Sequence, residues 1–285
     1  MIRKMIAIIF LSVLTGTYLV GCGDGQESIK IEGSDTMLNL TTKWAQAFKE
    51  KHGNIKVQVS GGGSGKGIKA LINKSVDFSM ASRKMKEKEV EACKKVNIEP
   101  VEHIVAYDGL AIVVHKDNPL DEISFATLKK IYSDRGITNW NQVGGPDMKL
   151  VVFGRDSSSG TFVYFKEKVI GKKETDQYRD DMKRTQGNAQ ILDQVKTTRG
   201  GIGYVGLGYV EGQRGSVKVL KVRKKASDTA LAPEHRDYPL CRPLHFYTNG
   251  EPTGNIKAFI DFALSEEGQK IVEEEGFIPK KKREG

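Results

Sequence analysis

Three short segments hold the same place in the sequence: Gly33-Ser34-Asp35-Thr36-Met37, Gly62-Gly63-Ser64-Gly65-Lys66-Gly67 and Arg155-Asp156-Ser157-Ser158-Ser159-Gly160-Thr161. Each follows a strand-like run and opens a helical one. Before the first, Ile29-Lys30-Ile31 reads as a short strand; after it, Met37, Leu40, Trp44, Ala47 and Phe48 recur at helical spacing until Gly53 stops them. Ile55, Val57 and Val59 alternate as a strand before the second, and Ile68, Leu71 and Ile72 mark a helix after it. Leu150 to Phe153 and Thr161 to Val169 flank the third as strand and helix. Such alternation predicts an α/β fold with a largely parallel sheet. It also fixes a chemistry. A helix N-terminus presents unpaired N–H groups and the positive end of the helix dipole. Glycine lets the backbone approach a ligand, hydroxyls add donors, and Arg155 adds a planar fork suited to an oxyanion. Taken singly, each segment reads as ordinary capping, because Ser34, Asp35, Thr36, Ser64 and Ser159 are all good N-cap residues. Their recurrence, once with an arginine, points to an anion site.

The rest of the 285-residue chain extends the alternation. Val76-Asp77-Phe78 reads as a strand and Arg83 to Val96 as a charged helix. Ile104 to Val114 is a continuous apolar run, expected as a buried strand. Beyond it the pattern restarts, with helices over Ser124 to Tyr132 and Ala189 to Lys196 and a strand-like Ile202 to Tyr209. Lys224 to Tyr238 is polar and loop-like, Pro239 to Tyr247 is extended, and a single final helix is expected over Ile256 to Glu274. The restart suggests two α/β domains.

The N-terminus reads as a targeting segment: Arg3 and Lys4, then the apolar run Met5 to Val20, then Gly21-Cys22. The apolar run is short for a membrane span. Residues 1–21 are expected as a signal peptide and 22–28 as a polar tether; Leu19-Val20-Gly21-Cys22 resembles the lipobox of bacterial lipoproteins, which implies Cys22 as the lipidated first residue. Two or more acyl chains on Cys22 would hold the body stably at a membrane, outside the cytoplasm. The other cysteines, Cys93 and Cys241, are far apart and fit either a disulfide or two buried thiols. The formal charge of +9 suits an anionic partner. Interleaved charges, as in Arg83-Lys84-Met85-Lys86-Glu87-Lys88-Glu89, read as a solvated helix face and not as a nucleic-acid surface; the basic Lys280 to Arg283 reads as a terminal tail.

Enzymatic and nucleotide-binding motifs fail on inspection. The second glycine-rich segment has Ser60 where a P-loop needs its first glycine, and Gly67 where it needs Ser or Thr. Gly201-Ile202-Gly203-Tyr204-Val205-Gly206 matches G-x-G-x-x-G, but a strand-like run follows where a helix is needed. No G-x-S-x-G elbow occurs, and the five histidines fall in no triad or metal spacing. No catalytic residue, metal or cofactor is expected.

The sequence resembles the phosphate-binding proteins of bacterial phosphate ABC importers, the PstS family, from about Ile29 to Pro279. Besides the three helix starts, the likeness covers Val76-Asp77-Phe78, Ala81-Ser82-Arg83, Ile131-Tyr132, Ile137-Thr138-Asn139-Trp140 and Gly201-Ile202-Gly203-Tyr204-Val205. It also covers Tyr238-Pro239-Leu240, Arg242-Pro243-Leu244 and Leu264-Ser265-Glu266-Glu267-Gly268-Gln269. The resemblance implies a two-lobed periplasmic-binding-protein-like fold of type II, with two α/β lobes joined by two extended hinge strands. Lobe I would comprise 29–106 and 245–285, and lobe II 107–244. It implies a monomeric solute-binding protein that captures inorganic phosphate and delivers it to membrane permease subunits. Thr36 would give its hydroxyl, Met37 its amide and Ser64 its hydroxyl from lobe I; Arg155, Ser159, Gly160 and Thr161 would bind from lobe II. Well-known members carry an aspartate where Ser82 stands, and that carboxylate accepts the proton of hydrogen phosphate. Here Ser82 is expected to bond the ligand and Arg83 to add a charge, with Asp35 as the replacement acceptor or else an N-cap. Other readings are a binder of sulfate, molybdate, tungstate or a phosphonate, or a phosphatase or adhesin on the same fold.

Overall fold

The computed structural model describes residues 27–133, 136–235 and 237–281. The signal peptide 1–21, Cys22, most of the 22–28 tether, and Lys282 and Arg283 of the basic tail lie outside the described residues. In chain order the main elements are β1 (Glu27–Gly33), α1 (Leu38–Lys51), β2 (Ile55–Ser60), α2 (Ser64–Ile72), β3 (Phe78–Ala81), α3 (Glu87–Lys95) and β4 (Pro100–His115). Next come β5 (Glu122–Ser124), α4 (Phe125–Tyr132), β6 (Val151–Arg155), α5 (Gly160–Phe165), β7 (Lys183–Thr185), α6 (Asn188–Thr197), β8 (Gly201–Gly206) and β9 (Val217–Arg223). The chain closes with β10 (Cys241–Asn249), α7 (Gly254–Leu264) and α8 (Glu266–Glu274).

The strands follow the order β2-β1-β3-β10-β4-β8-β6-β7, with β9 beside β4 and β5 beside β9. The outer strands pair in parallel, as the alternation predicts: β1 with β2 and β3, and β6 with β7 and β8. The two middle strands run against their neighbours. β10 is antiparallel to β3 and β4, and β4 is antiparallel to β8 and β9. They are the crossings. The first part of β4, up to Gly109, pairs with β10, and from Leu110 onward it pairs with β8 and β9. A strand that carries the chain out and one that carries it back must point opposite ways, so a wholly parallel sheet is not possible here.

Each side has its own core. One draws on residues 29–106 and 244–277, centred on Ile31, Trp44, Phe48, Phe78, Phe246 and Phe259. Phe78 and Phe246 lie 4.9 Å apart between ring centroids, and Trp44 meets Phe246 edge-on at 5.7 Å. Two further clusters draw on residues 110–240; Tyr132, Trp140, Phe165 and Tyr204 anchor the larger. Fully burying each such side chain is worth about 1.5–3 kcal/mol. The two indole N–H groups are also satisfied: Trp44 Nε1 donates to the Gly268 carbonyl (2.8 Å) and Trp140 Nε1 to that of Gly200 (2.9 Å).

Several element boundaries differ from the sequence expectation. The charged helix begins at Glu87, not Arg83, because Glu89 turns back to accept from the Lys86 amide (2.8 Å). The helix after the third glycine-rich segment is α-helical only to Phe165 and continues as a π turn over Lys166–Ile170. The single C-terminal helix is two helices. Ser265 is extended (ψ 167°) between them, and its Oγ accepts the Gly268 amide (3.2 Å) as the N-cap of α8. Cys93 and Cys241 form no disulfide with each other, and Cys93 is buried.

Candidate functional site

The glycines that begin α1 and α2 are demanded by packing. Gly33 has φ +149°, and a Cβ there would stand 2.0 Å from the Met80 carbonyl oxygen. Gly63 has φ +108°, and its Cβ would stand 2.7 Å from the carbonyl oxygen of Ser158, which belongs to the other side of the molecule. Only glycine suits such a backbone without strain. Both turns therefore bring main chain close to a second segment.

The hydroxyls of these turns are mostly not caps. Ser34 Oγ donates to Ser82 Oγ (2.9 Å) and makes no cap bond. Ser64 lies inside the first turn of α2, where its Oγ accepts the Ser82 amide (3.0 Å) and sits 3.4 Å from Ser82 Oγ. Ser34, Ser64 and Ser82 are all buried, so three hydroxyls are pooled at the C-terminal ends of β1 and β3 and the start of α2. Ser159 is the exception. It does N-cap α5, its Oγ accepting from Thr161 N (3.1 Å) and Phe162 N (3.4 Å).

The third segment is pressed against this pool. A Cβ on Gly160 would lie 2.2 Å from Ser64 Oγ and 2.7 Å from Ser82 Oγ. Thr161 Oγ1 is 2.9 Å from Thr36 Oγ1, so one hydroxyl from each side meets its counterpart in a fully buried contact. The Gly65 amide donates to the Ser158 carbonyl (3.1 Å), and Ser158 Oγ donates to that of Gly62 (3.3 Å). The three segments thus converge on one point between the halves.

Charge enters through arginines that each have a carboxylate nearby. Arg155, 1% exposed, places Nη1 3.4 Å from Asp35 Oδ2 and donates through Nη2 to the Gln186 carbonyl (2.5 Å). Burial lowers its pKa from the ordinary arginine value, and the Asp35 charge opposes that shift. Arg242 donates to Asp108 Oδ2 through Nε (3.0 Å) and Nη2 (2.7 Å), and its Nη2 also reaches Thr161 Oγ1 (2.8 Å) and Thr36 Oγ1 (3.3 Å). Asp108 Oδ1 accepts the Leu207 amide (2.8 Å).

Three expected site residues have other work. The Met37 amide donates to the Ser34 carbonyl (3.0 Å) and its side chain is fully buried in the first core, so the amide is spent on the turn. Arg83 makes a two-pronged pair with Glu89 (2.7 Å on each nitrogen). Burial pushes the Glu89 carboxyl up, but Arg83 and the Lys86 amide outweigh it and hold the group below the usual range. Arg83 is therefore a neutralised pair and not a free second charge. Asp35 Oδ2 accepts from Asn188 N (3.0 Å) and Nδ2 (2.8 Å) across the cleft, and the Tyr209 hydroxyl donates to the Asp35 carbonyl (2.7 Å). The carboxylate thus joins the two halves at the rim of a cavity of about 470 Å³ lined also by Leu38, Gly187 and Tyr209. That geometry suits closure and the orienting of Arg155 through Oδ2. Arg242, Asp108 and Asn188 were not expected in the site. A signal for the first two exists: Asp108 is the one charge in the apolar run Ile104 to Val114, and Arg242 the one charge in the extended Pro239 to Leu244.

Two lobes joined by a pair of hinge strands, closing over a buried cluster of hydroxyls and guanidinium groups, define a solute-binding protein of the periplasmic-binding-protein class. The sequence matches the PBP superfamily domain over residues 21–267. It is 34% identical to the phosphate-binding protein PstS of Pseudomonas aeruginosa, over 87% of this chain and 81% of that one. It is 31% identical to PstS of Borreliella burgdorferi, over 97% and 98%. Among solved structures it resembles a putative phosphate ABC transporter substrate-binding protein from Clostridium perfringens, with a TM-score of 0.78 and 33% identity, covering 89% of this chain and 99% of that one. The chain belongs to the PstS family. Members of that family are extracytoplasmic substrate-binding proteins and not enzymes. Among the described residues, no helix is long and apolar enough to cross a membrane.

Proposed function

We propose that this protein captures inorganic phosphate outside the cytoplasm and delivers it to the permease of an ABC importer. The observation that supports this reading is the convergence of Thr36, Ser64 and Ser82 from one side with Gly160 and Thr161 from the other, beside the Arg155–Asp35 pair; we assign Arg155 and Ser159 to the same site. A tetrahedral oxyanion bridging the two sets gains contacts from both lobes only when they are closed. It therefore shifts the open–closed equilibrium toward the closed form, which a permease can recognise. We place the lobe boundaries at 106/107 and 244/245; the separate cores support the first and a return crossing close to the second, with Leu244 already packed in the first core. We assign Cys22 as the lipidated residue and the protein as a monomer. The tether raises its concentration near the permease.

Isothermal titration with phosphate, sulfate and molybdate tests the reading. Phosphate is expected to bind most tightly, and Arg155→Ala to weaken it by at least tenfold, the loss of a charge-assisted hydrogen bond. Wild-type protein that takes up no phosphate, or an alanine variant with full affinity, would remove phosphate capture as the function. Labelling of cells with a radioactive fatty acid tests the anchor: wild-type protein is expected to carry label and Cys22→Ser none.

A further inference from the structure

The hinge strands do more than connect. Asp108 on β4 and Arg242 on β10 are direct cross-strand partners. Both are fully buried, at 0% and 1% exposure. An ion pair in this position is not needed for the crossing; two apolar residues would pair the strands at least as well. The pair also faces a particular way. Arg242 Nη2 touches Thr161 Oγ1 (2.8 Å) from one lobe and Thr36 Oγ1 (3.3 Å) from the other. The Tyr164 ring lies under the guanidinium plane, 5.3 Å from its carbon to the ring centroid, and fixes its tilt. Both hydrogen bonds to Asp108 end on one oxygen, Oδ2, so they engage Nε and Nη2 alone. Among the described residues Arg242 Nη1 has no hydrogen-bond partner, although it is buried. A buried donor without an acceptor is costly and calls for an explanation.

We infer that Arg242 is a further anion-binding residue of the cleft, held in place by Asp108. This rests on the phosphate reading above, since Thr36 and Thr161 are the hydroxyls through which the ligand is proposed to bridge the lobes. A guanidinium placed between those two hydroxyls supplies a charged N–H toward the same oxyanion. Asp108 is a positioning residue. It fixes the fork through Nε and Nη2, and its second oxygen, on the Leu207 amide, ties that fork to lobe II. The pair stands on the strands that must bend when the lobes part, so ligand held by Arg242 is held at the hinge itself.

Titration of inorganic phosphate into purified wild type, Arg155→Ala, Arg242→Met, Arg242→Lys and Asp108→Asn decides the point, with the ligand-free melting temperature of each measured alongside. Arg242→Met is expected to weaken phosphate binding about 100-fold, within the range for truncating one member of a buried charge pair. Arg242→Lys is expected to recover part of it, about tenfold, because an ammonium keeps the charge but cannot serve Asp108 and the anion as a fork does. Asp108→Asn is expected to weaken phosphate binding about threefold to fivefold, less than Arg242→Lys, since Arg242 keeps its own charge and fork but loses the charged anchor that fixes their direction, while the melting temperature falls more than in Arg242→Lys. A merely structural pair behaves otherwise: Asp108→Asn and Arg242→Lys would lose affinity equally and in step with melting temperature. That result overturns the inference, as does wild-type affinity in Arg242→Met. Should Arg242→Met fail to fold, Arg242→Lys and Asp108→Asn carry the same decision. Wild-type protein that binds no phosphate sinks the phosphate reading itself. Wild type that binds, with Arg155→Ala impaired and Arg242 variants intact, sinks only the role of Arg242.

Discussion

Gly160→Ala isolates lobe closure from every other property of the protein. The added methyl would stand 2.2 Å from Ser64 Oγ, 2.7 Å from Ser82 Oγ and 3.0 Å from Ser64 Cβ, all on the opposite lobe. Ordinary contact begins near 3.4 Å, so the lobes must stay apart by roughly 1 Å at this point. The three atoms nearest the methyl all belong to lobe I, and alanine in the first turn of a helix is favoured over glycine by up to about 1 kcal/mol. The open protein should therefore melt no lower than wild type. The closed form loses the Thr36–Thr161 contact (2.9 Å) and the Gly65–Ser158 bond (3.1 Å). It also loses good geometry for about two hydrogen bonds between the bridging anion and one lobe. Hydrogen bonds to a charged group are worth about 1.5–3 kcal/mol each, so phosphate affinity should fall by about 10²–10⁴-fold. Isothermal titration reads the affinity. Small-angle X-ray scattering reads closure, and the decrease in radius of gyration on adding phosphate should vanish. Affinity within threefold of wild type would refute the reasoning, and so would a large fall in ligand-free melting temperature, which would make Gly160 a requirement of lobe II alone.

Three further outcomes are expected. Asp35→Asn weakens the cross-cleft bonds to Asn188 and Arg155, so phosphate and sulfate affinities should fall together by about tenfold or more in competition titrations; loss for phosphate alone would restore Asp35 as a proton acceptor. His245 is buried, which lowers its pKa to about 4 despite the nearby Glu102. The unfolded side chain takes its proton near 6.5 while the folded one refuses it until about 4, so stability should rise with pH across that window and fall on acidification, by an amount on the order of 3 kcal/mol. Urea unfolding of His245→Gln between pH 4 and 7 should show a flatter slope than wild type; an equal slope would assign the acid sensitivity elsewhere. Ser265→Ala removes the N-cap of α8 and should cost about 1 kcal/mol in urea unfolding, with phosphate affinity unchanged.

The sequence makes legible whatever depends on neighbours along the chain. The strand–helix alternation, the extended runs that became β4 and β10, and the three glycine-rich helix starts follow from local periodicity and turn chemistry. The site's wiring does not. Ser34 and Ser64 look like N-caps by type and position, yet their hydroxyls go to Ser82, brought in by the neighbouring strand β3. Arg83 looks free in a run of interleaved charges until Glu89, in the first turn of α3, takes both its terminal nitrogens. The break at Ser265 was hidden because apolar spacing continues on both sides of it. The Asp108–Arg242 pair joins residues 134 positions apart, and only strand register places them opposite each other.

The bond from the Trp44 indole to the Gly268 carbonyl spans 224 positions and has a consequence for how the molecule comes into being. The first core needs Phe259, Ile260 and Val272 as well as Trp44, so it stays unfinished until almost the whole chain has been synthesised and exported. The inserted lobe draws its core from residues 110–240 and can assemble earlier. Nascent chains should pass through a species with one lobe formed and the other still exposing its aromatic face, a natural client for extracytoplasmic chaperones. Clipping the last helix, far from the ligand, should then be as damaging as removing part of the cleft.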